Sequence, residues 1–248
     1  MINKKNRKTF WSAIVLAAFA ALMIGCESGA TSNNKTANST SKSAADVYAK
    51  ALPGANPPNS LGAPNAPVTL EEFADFQCPT CAGMHPKVQE LRAVYGDRLR
   101  IIFREFPLKI PAHDKAYEAA TAAESAGMQG KFWDMQNLLF TNQQTWSVAP
   151  NYRQTFEDYA QKLGLDVEKF KSDMAGLQSK NRVSADLERA NSLGLNSTPS
   201  FFINGKAVSQ ADMTSDGMKK IIDAELQKKQ NANQSGQTSP ANAANGSN

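Results

Sequence analysis

The strongest constraint on the fold of this 248-residue chain is a change of hydrophobic period around two cysteines. Val68-Thr69-Leu70-Glu71-Glu72-Phe73 reads as a strand, and Cys78-Pro79-Thr80-Cys81 follows after a short turn. From there Met84, Val88, Leu91 and Val94 recur every three or four positions, a helical spacing that Gly96-Asp97 ends. Leu99-Arg100-Ile101-Ile102-Phe103 is a second strand, bounded by Phe106-Pro107. Strand, helix and strand in this order predict a right-handed parallel crossover. The C-x-x-C pair then sits where the first strand becomes the helix.

That position has a chemical meaning. The unpaired N–H groups and the dipole at a helix N-terminus favour an anion. A thiolate there has a lowered pKa, reacts as a nucleophile and leaves easily. Pro79 suits a first helical turn, where its missing N–H had no helical partner. Cys81 lies one turn on and can close a ring with Cys78. The pattern therefore predicts Cys78 as the exposed nucleophile and Cys81 as the resolving thiol. The competing reading is a zinc site made with the only two histidines, His85 and His113, since two cysteines and two histidines can hold zinc. His113 follows Pro107 and Pro111 at no usual zinc-finger spacing, so no metal is expected.

Beyond the second strand, the chain reads as helices from about 113 to 194: Lys115–Ala126, Lys131–Phe140, Arg153–Leu163, Val167–Met174 and Ser179–Leu193. Phe201-Phe202-Ile203 then enters an Asn204-Gly205 turn, a strong hairpin signal. Ala207-Val208 returns, and Met218–Leu226 is a last helix. The whole is an α/β pattern with an inserted helical subdomain.

The termini read differently. Residues 1–25 hold Lys4, Lys5, Arg7 and Lys8 with no acidic residue, which accounts for the formal charge of +4 and leaves the remainder neutral. No basic tract points to nucleic acid. The apolar run Phe10–Ile24 is about 15 residues against the about 20 a membrane-spanning helix needs, so a signal peptide is expected, with an uncleaved anchor as the alternative. Met23-Ile24-Gly25-Cys26 resembles the bacterial lipobox, although Met23 departs from its usual Leu, Val or Ile. The resemblance implies lipid on Cys26; ordinary signal cleavage is the alternative. Residues 26–66, rich in Ser, Thr, Asn, Ala, Gly and Pro, read as a flexible tether, in which a marginal short helix around Ala44–Ala51 is conceivable. Residues 67–227 form the domain, and 228–248 read as a disordered tail. With Cys26 lipidated, Cys78 and Cys81 are the only pair left among three cysteines. A bridge across two residues constrains little chain, so it suits chemistry better than stability.

Four segments together resemble the DsbA-like thiol oxidoreductases, in the bacterial branch that includes the BdbD type. They are Phe73-Ala74-Asp75-Phe76-Gln77-Cys78-Pro79-Thr80-Cys81, Arg104-Glu105-Phe106-Pro107-Leu108, Gly130-Lys131-Phe132-Trp133 and Thr198-Pro199-Ser200-Phe201-Phe202-Ile203-Asn204-Gly205. The resemblance spans about residues 60–227 and implies a thioredoxin-like fold without cofactor. It also implies a cis bond at Thr198-Pro199 opposite the dithiol, where backbone groups would receive an extended substrate. Sequence alone gives an X-Pro bond only about a 5–6% chance of being cis. Glu72 takes the place of the buried carboxylate that relays the proton of the resolving cysteine; the alternative is that Glu71 or Glu72 is merely solvated. The family oxidises thiols of exported proteins and is reoxidised by a quinone-linked membrane partner of the DsbB or vitamin K epoxide reductase type. A membrane-anchored, monomeric, extracytoplasmic enzyme is the expectation. The same site run as reductase or isomerase, and a tethered binding or chaperone module with an incidental dithiol, are its rivals.

Overall fold

The computed structural model describes residues 43–237, and the signal segment, Cys26 and the first part of the expected tether lie outside them. Five strands form one sheet in the order β1-β3-β2-β4-β5: β1 (Asn59–Leu61), β2 (Val68–Ala74), β3 (Leu99–Glu105), β4 (Ser200–Ile203) and β5 (Lys206–Ala207). β2 and β3 run parallel, as the crossover requires, and the remaining pairs are antiparallel. Helices cover both faces. The product is the expected α/β architecture of thioredoxin-like type.

Each layer follows from the period of its residues. Val68 and Leu70 of β2 pack with Leu99 and Ile101 of β3 beneath α2 (Pro79–Tyr95), which contributes Met84, Val88 and Leu91. The same layer receives Met218, Ile222 and Leu226 from α9 (Ser215–Gln237). Between the strands stand α3 (Ala116–Gly127), α4 (Phe132–Thr141), α5 (Gln143–Trp146), α6 (Tyr152–Lys162), α7 (Val167–Ala175) and α8 (Leu177–Ser192). The alanines of α3 let Phe132, Met135, Trp146, Phe156 and Phe170 close around it. On the far face of the sheet, Phe73 and Phe202 meet Ala190 of α8.

Two expectations are corrected. Residues 26–66 were expected to be tether, but from Ser43 onward the chain is built into the domain. α1 (Ala44–Lys50) starts on a capping box between Ser43 and Asp46. Its Tyr48 lies 5.2 Å from the Phe202 ring and covers the Asn204-Gly205 turn so closely that a Cβ on Gly205 would meet the Tyr48 ring at 2.8 Å. Asn204 and Gly205 have φ of 47° and 77°, the positive pair that a tight hairpin turn demands. Downstream, β1 pairs with the edge of β3, Asn59 opposite Phe103. The expected tail also starts too early. α9 continues through Gln237, and Lys228 bonds Glu225 at 2.8 Å. Residues 238–248 lie outside the described region.

Candidate active site

β2 ends at Ala74, and the following turn is held from several directions. The buried Asp75 carboxylate accepts hydrogen bonds from Gln77 N (2.7 Å) and Leu108 N (2.8 Å), and His113 Nδ1 lies 2.6 Å from it. Gln77 in turn donates to Asp114 Oδ1 (3.1 Å) and accepts from Lys115 N (2.8 Å). Cys78 N donates to the Asp75 carbonyl at 3.1 Å. This delivers Cys78 to the N-cap of α2 in extended conformation (φ −74°, ψ 119°), with Pro79 as first helical residue.

The two sulfurs then occupy unequal surroundings. Cys78 is 6% exposed and Cys81 is fully buried, and both thiols are reduced. The Cys78 thiol is drawn down to about 5, first by the hydrogen bond from Cys81 and against the cost of burial, then by the Thr198 side chain and the Cys81 and Thr80 amides. Burial pushes Cys81 well above the usual thiol range, and its neighbour Cys78 adds to the rise.

Thr198-Pro199 is cis and lies across from this pair, with the Thr198 carbonyl 3.5 Å from Cys78 Sγ. The Thr198 hydroxyl is buried with no nitrogen or oxygen partner, and it bears on both sulfurs. A groove of about 390 Å³ runs beside this segment, lined by Thr80, Met84, Lys87, Pro199, Gln210 and Met213.

Glu72 and Glu71 separate cleanly. Glu72 has the same parity in β2 as Leu70 and Ala74, which face α2, and Ala74 packs with both cysteines. Its carboxyl is 2% exposed, its Oε1 has no partner, and burial pushes its pKa up to about 8. Glu71 points to the other face, where Arg104 Nε (2.7 Å), Arg189 Nη2 (2.8 Å) and Tyr48 Oη (2.6 Å) donate to it. Neither carboxylate is solvated.

The histidines are committed elsewhere. His85 Nε2 lies 3.0 Å from Asn137 Oδ1, and His113 belongs to Asp75. Among the described residues no group of three or more His, Cys, Asp or Glu is arranged to hold a metal.

Sequence reasoning missed the polar groups that fix the turn. Asp75 lies in the segment Phe73–Cys81, where nothing local marks its role, and Gln143 carries no signal in the sequence. From α5 its side-chain amide donates to Phe76 O (2.7 Å) and Cys78 O (2.8 Å).

A family profile described as thioredoxin matches residues 55–224. Curated relatives include the Na(+)/H(+) antiporter NhaA 1 of Mycolicibacterium gilvum (strain PYR-GCK), 44% identical over 147 residues, which are 58% of this chain and 23% of that protein. NhaA 3 of Salinispora tropica is 38% identical over 145 residues, 58% of this chain and 21% of the relative. The chain thus spans under a quarter of the length of these relatives, and the transport in their name belongs to those whole proteins. Among the described residues no helix is long and apolar enough to cross a membrane.

Three solved structures are similar. A thioredoxin-like oxidoreductase from Silicibacter pomeroyi DSS-3 superposes with a TM-score of 0.53 at 27% identity, covering 66% of this chain and 91% of that one. Oxidised BdbD from Bacillus subtilis gives 0.60 at 24%, covering 71% and 98%. Alpha-DsbA1 of Wolbachia pipientis gives 0.59 at 22%, covering 71% and 94%. At their identities the last two speak for the fold alone.

Proposed function

The chain belongs to the thioredoxin family, and from that membership we propose that it is a thiol–disulfide oxidoreductase of DsbA-like type that oxidises thiols of exported proteins. The observation that carries the reading is the inequality of the two cysteines: Cys78 drawn down to about 5, Cys81 raised and buried. A thiolate that stable is a good leaving group, and a reduced form that stable makes its disulfide an oxidant.

In the oxidised enzyme a client thiolate attacks Cys78 Sγ and breaks its bond to Cys81. Cys81 leaves as a thiolate and takes up a proton, for which the neutral Glu72 carboxyl on the same side of β2 is the proposed donor. A second client thiolate then attacks the client sulfur of the mixed disulfide, and Cys78 departs as thiolate. The client has lost two electrons, and the dithiol has gained them. The Thr198 and Pro199 backbone would receive the client as an extended strand. The lipid on Cys26, export, and reoxidation by a quinone-linked membrane partner of the DsbB or vitamin K epoxide reductase type complete the proposal. A lipid tether would raise the effective concentration of such a partner.

The test is Cys81→Ala, which cannot resolve a mixed disulfide. Recovery of exported proteins bound through Cys78 supports the reading, and an absence of adducts sinks it. Cys78→Ser with full native function would favour a binding module instead.

A further inference from the structure

The catalytic turn is held on one side by the loop before α3, through Asp75 and Gln77. On its other side the hydrogen bonds to the turn come from one side chain, Gln143, the first residue of α5. Its side chain is nearly buried, and one Nε2 group serves two carbonyls, Phe76 O at 2.7 Å and Cys78 O at 2.8 Å. These carbonyls flank the bend between strand and helix. The Cys78 carbonyl also starts the helix, accepting from Ala82 N at 3.2 Å.

This arrangement bears on the sulfur through the peptide that follows it. The Thr80 and Cys81 amides stabilise the Cys78 thiolate only while the first turn of α2 keeps them aimed at Sγ. That aim depends on the orientation of the Cys78 carbonyl, because it fixes the plane of the Cys78–Pro79 peptide, and the ring-locked φ of Pro79 carries that orientation on to the Thr80 and Cys81 amides. We propose that Gln143 is a positioning residue for the dithiol: by pinning the Phe76 and Cys78 carbonyls, it holds the first-turn amides on the Cys78 sulfur and so sets the thiolate's stability. The helical insertion thereby supplies a working part of the redox site.

A second hydrogen bond joins the insertion to α2, the His85–Asn137 contact one turn beyond the cysteines. It gives a comparator that ties the same two parts of the molecule without touching the turn.

The inference rests on the Cys78–Cys81 pair being redox-active, and its test reads that pair directly without any client. Gln143→Met keeps the arm's length and removes both donors; Gln143→Asn keeps a donor on an arm too short to serve both carbonyls. Thiolate absorbance near 240 nm is titrated for each, with near-ultraviolet circular dichroism to verify the fold. The midpoint is expected to rise by about one unit, roughly tenfold less thiolate at a given acid pH. The equilibrium with glutathione moves by a similar factor toward the disulfide. Asn137→Ala is expected to lower the melting temperature and leave the titration in place. Folded variants whose midpoint moves less than about a quarter of a unit overturn the proposal. An equal shift in Asn137→Ala does so too, since it would make the effect general loosening. An unaltered protein whose Cys78 titrates as expected but which oxidises no client would count against the enzymatic reading and leave this one standing.

Discussion

Glu71 and Glu72 are adjacent in β2, and the pleat sends them to opposite fates. Glu71 meets Arg104, Arg189 and the Tyr48 hydroxyl on one face. Burial would raise its pKa, but those donors pull it below the usual carboxylate range. Glu72, on the other face, has burial alone acting on it and is held up at about 8. A one-residue shift of strand register would exchange the two and strand a charge on each face.

Glu72 therefore binds a proton in the folded protein that the unfolded chain releases near pH 4.5. The folded state holds more protons between these values, so stability from this group is fully present below about 4.5 and is lost as pH rises toward 8, at about 1.4 kcal/mol per pH unit. Glu72→Gln removes the titration. Urea unfolding should show the variant gaining on the wild type steadily from pH 5 to pH 8. Release of Cys81 during thiol exchange should slow in the same variant, if Glu72 donates the proton. A stability difference that does not change with pH would contradict the buried neutral carboxyl.

The opposite outcome is expected one residue earlier. Glu71→Gln leaves Arg104 and Arg189 buried beside each other without their shared carboxylate. Removing one partner from such a network costs about 3–5 kcal/mol. Chemical denaturation should find that loss with the Cys78 titration nearly unmoved, because Glu71 faces away from α2.

Cys78 should titrate near pH 5 by thiolate absorbance, and Thr198→Val should raise that midpoint by up to about one unit. The valine keeps the shape of the side chain and deletes the hydroxyl, which bears only on the two sulfurs. An unchanged midpoint would mean that the Cys81 thiol and the helix amides suffice.

The redox potential follows from the same number. At pH 7 a thiol of pKa about 5 stabilises the reduced form by nearly two pH units' worth of free energy, against about 0.3 for thioredoxin's thiol of pKa about 7. The difference predicts a Cys78–Cys81 disulfide roughly 50 mV more oxidising than thioredoxin's about −270 mV. Equilibration with glutathione measures it. A potential as low as thioredoxin's would contradict the oxidase direction and favour a reductase.

What was legible in the chain was whatever a local period encodes. The alternation in Val68–Phe73, the helical spacing from Met84 to Leu91, the Asn204-Gly205 turn and the C-x-x-C pair all announce themselves within a few residues. The rest depends on partners far away in sequence. Arg189 is a charged helix residue like any other until the fold brings it to Glu71, 118 positions earlier. Gln143 reaches Cys78 across 65 positions from a helix of four residues, too short for any period. β1 is Asn-Ser-Leu, held by backbone pairing to the edge of β3, and nothing in its composition separates it from a linker.

That last case yields a test of the N-terminal segment. Deleting residues 43–58 together with everything before them should cost nothing if they are tether. As folded, the deletion strips several buried groups at once. Arg104 Nη1 loses the Ala55 carbonyl (3.0 Å), Arg189 Nη1 the Leu52 carbonyl (2.7 Å), and Asp186 Oδ1 the Ala55 amide (2.8 Å). Glu71 loses the Tyr48 hydroxyl, and the Phe202 ring loses its cover. Each unmatched buried polar group costs about 1–3 kcal/mol where water cannot replace the partner. A melting point lower by about 10 °C or more is therefore expected for a domain of this size. The dithiol titration should stay close to that of the full chain, since the segment packs beneath α8 and β4 and away from α2. A truncated protein that melts with the full chain would return residues 43–58 to the tether.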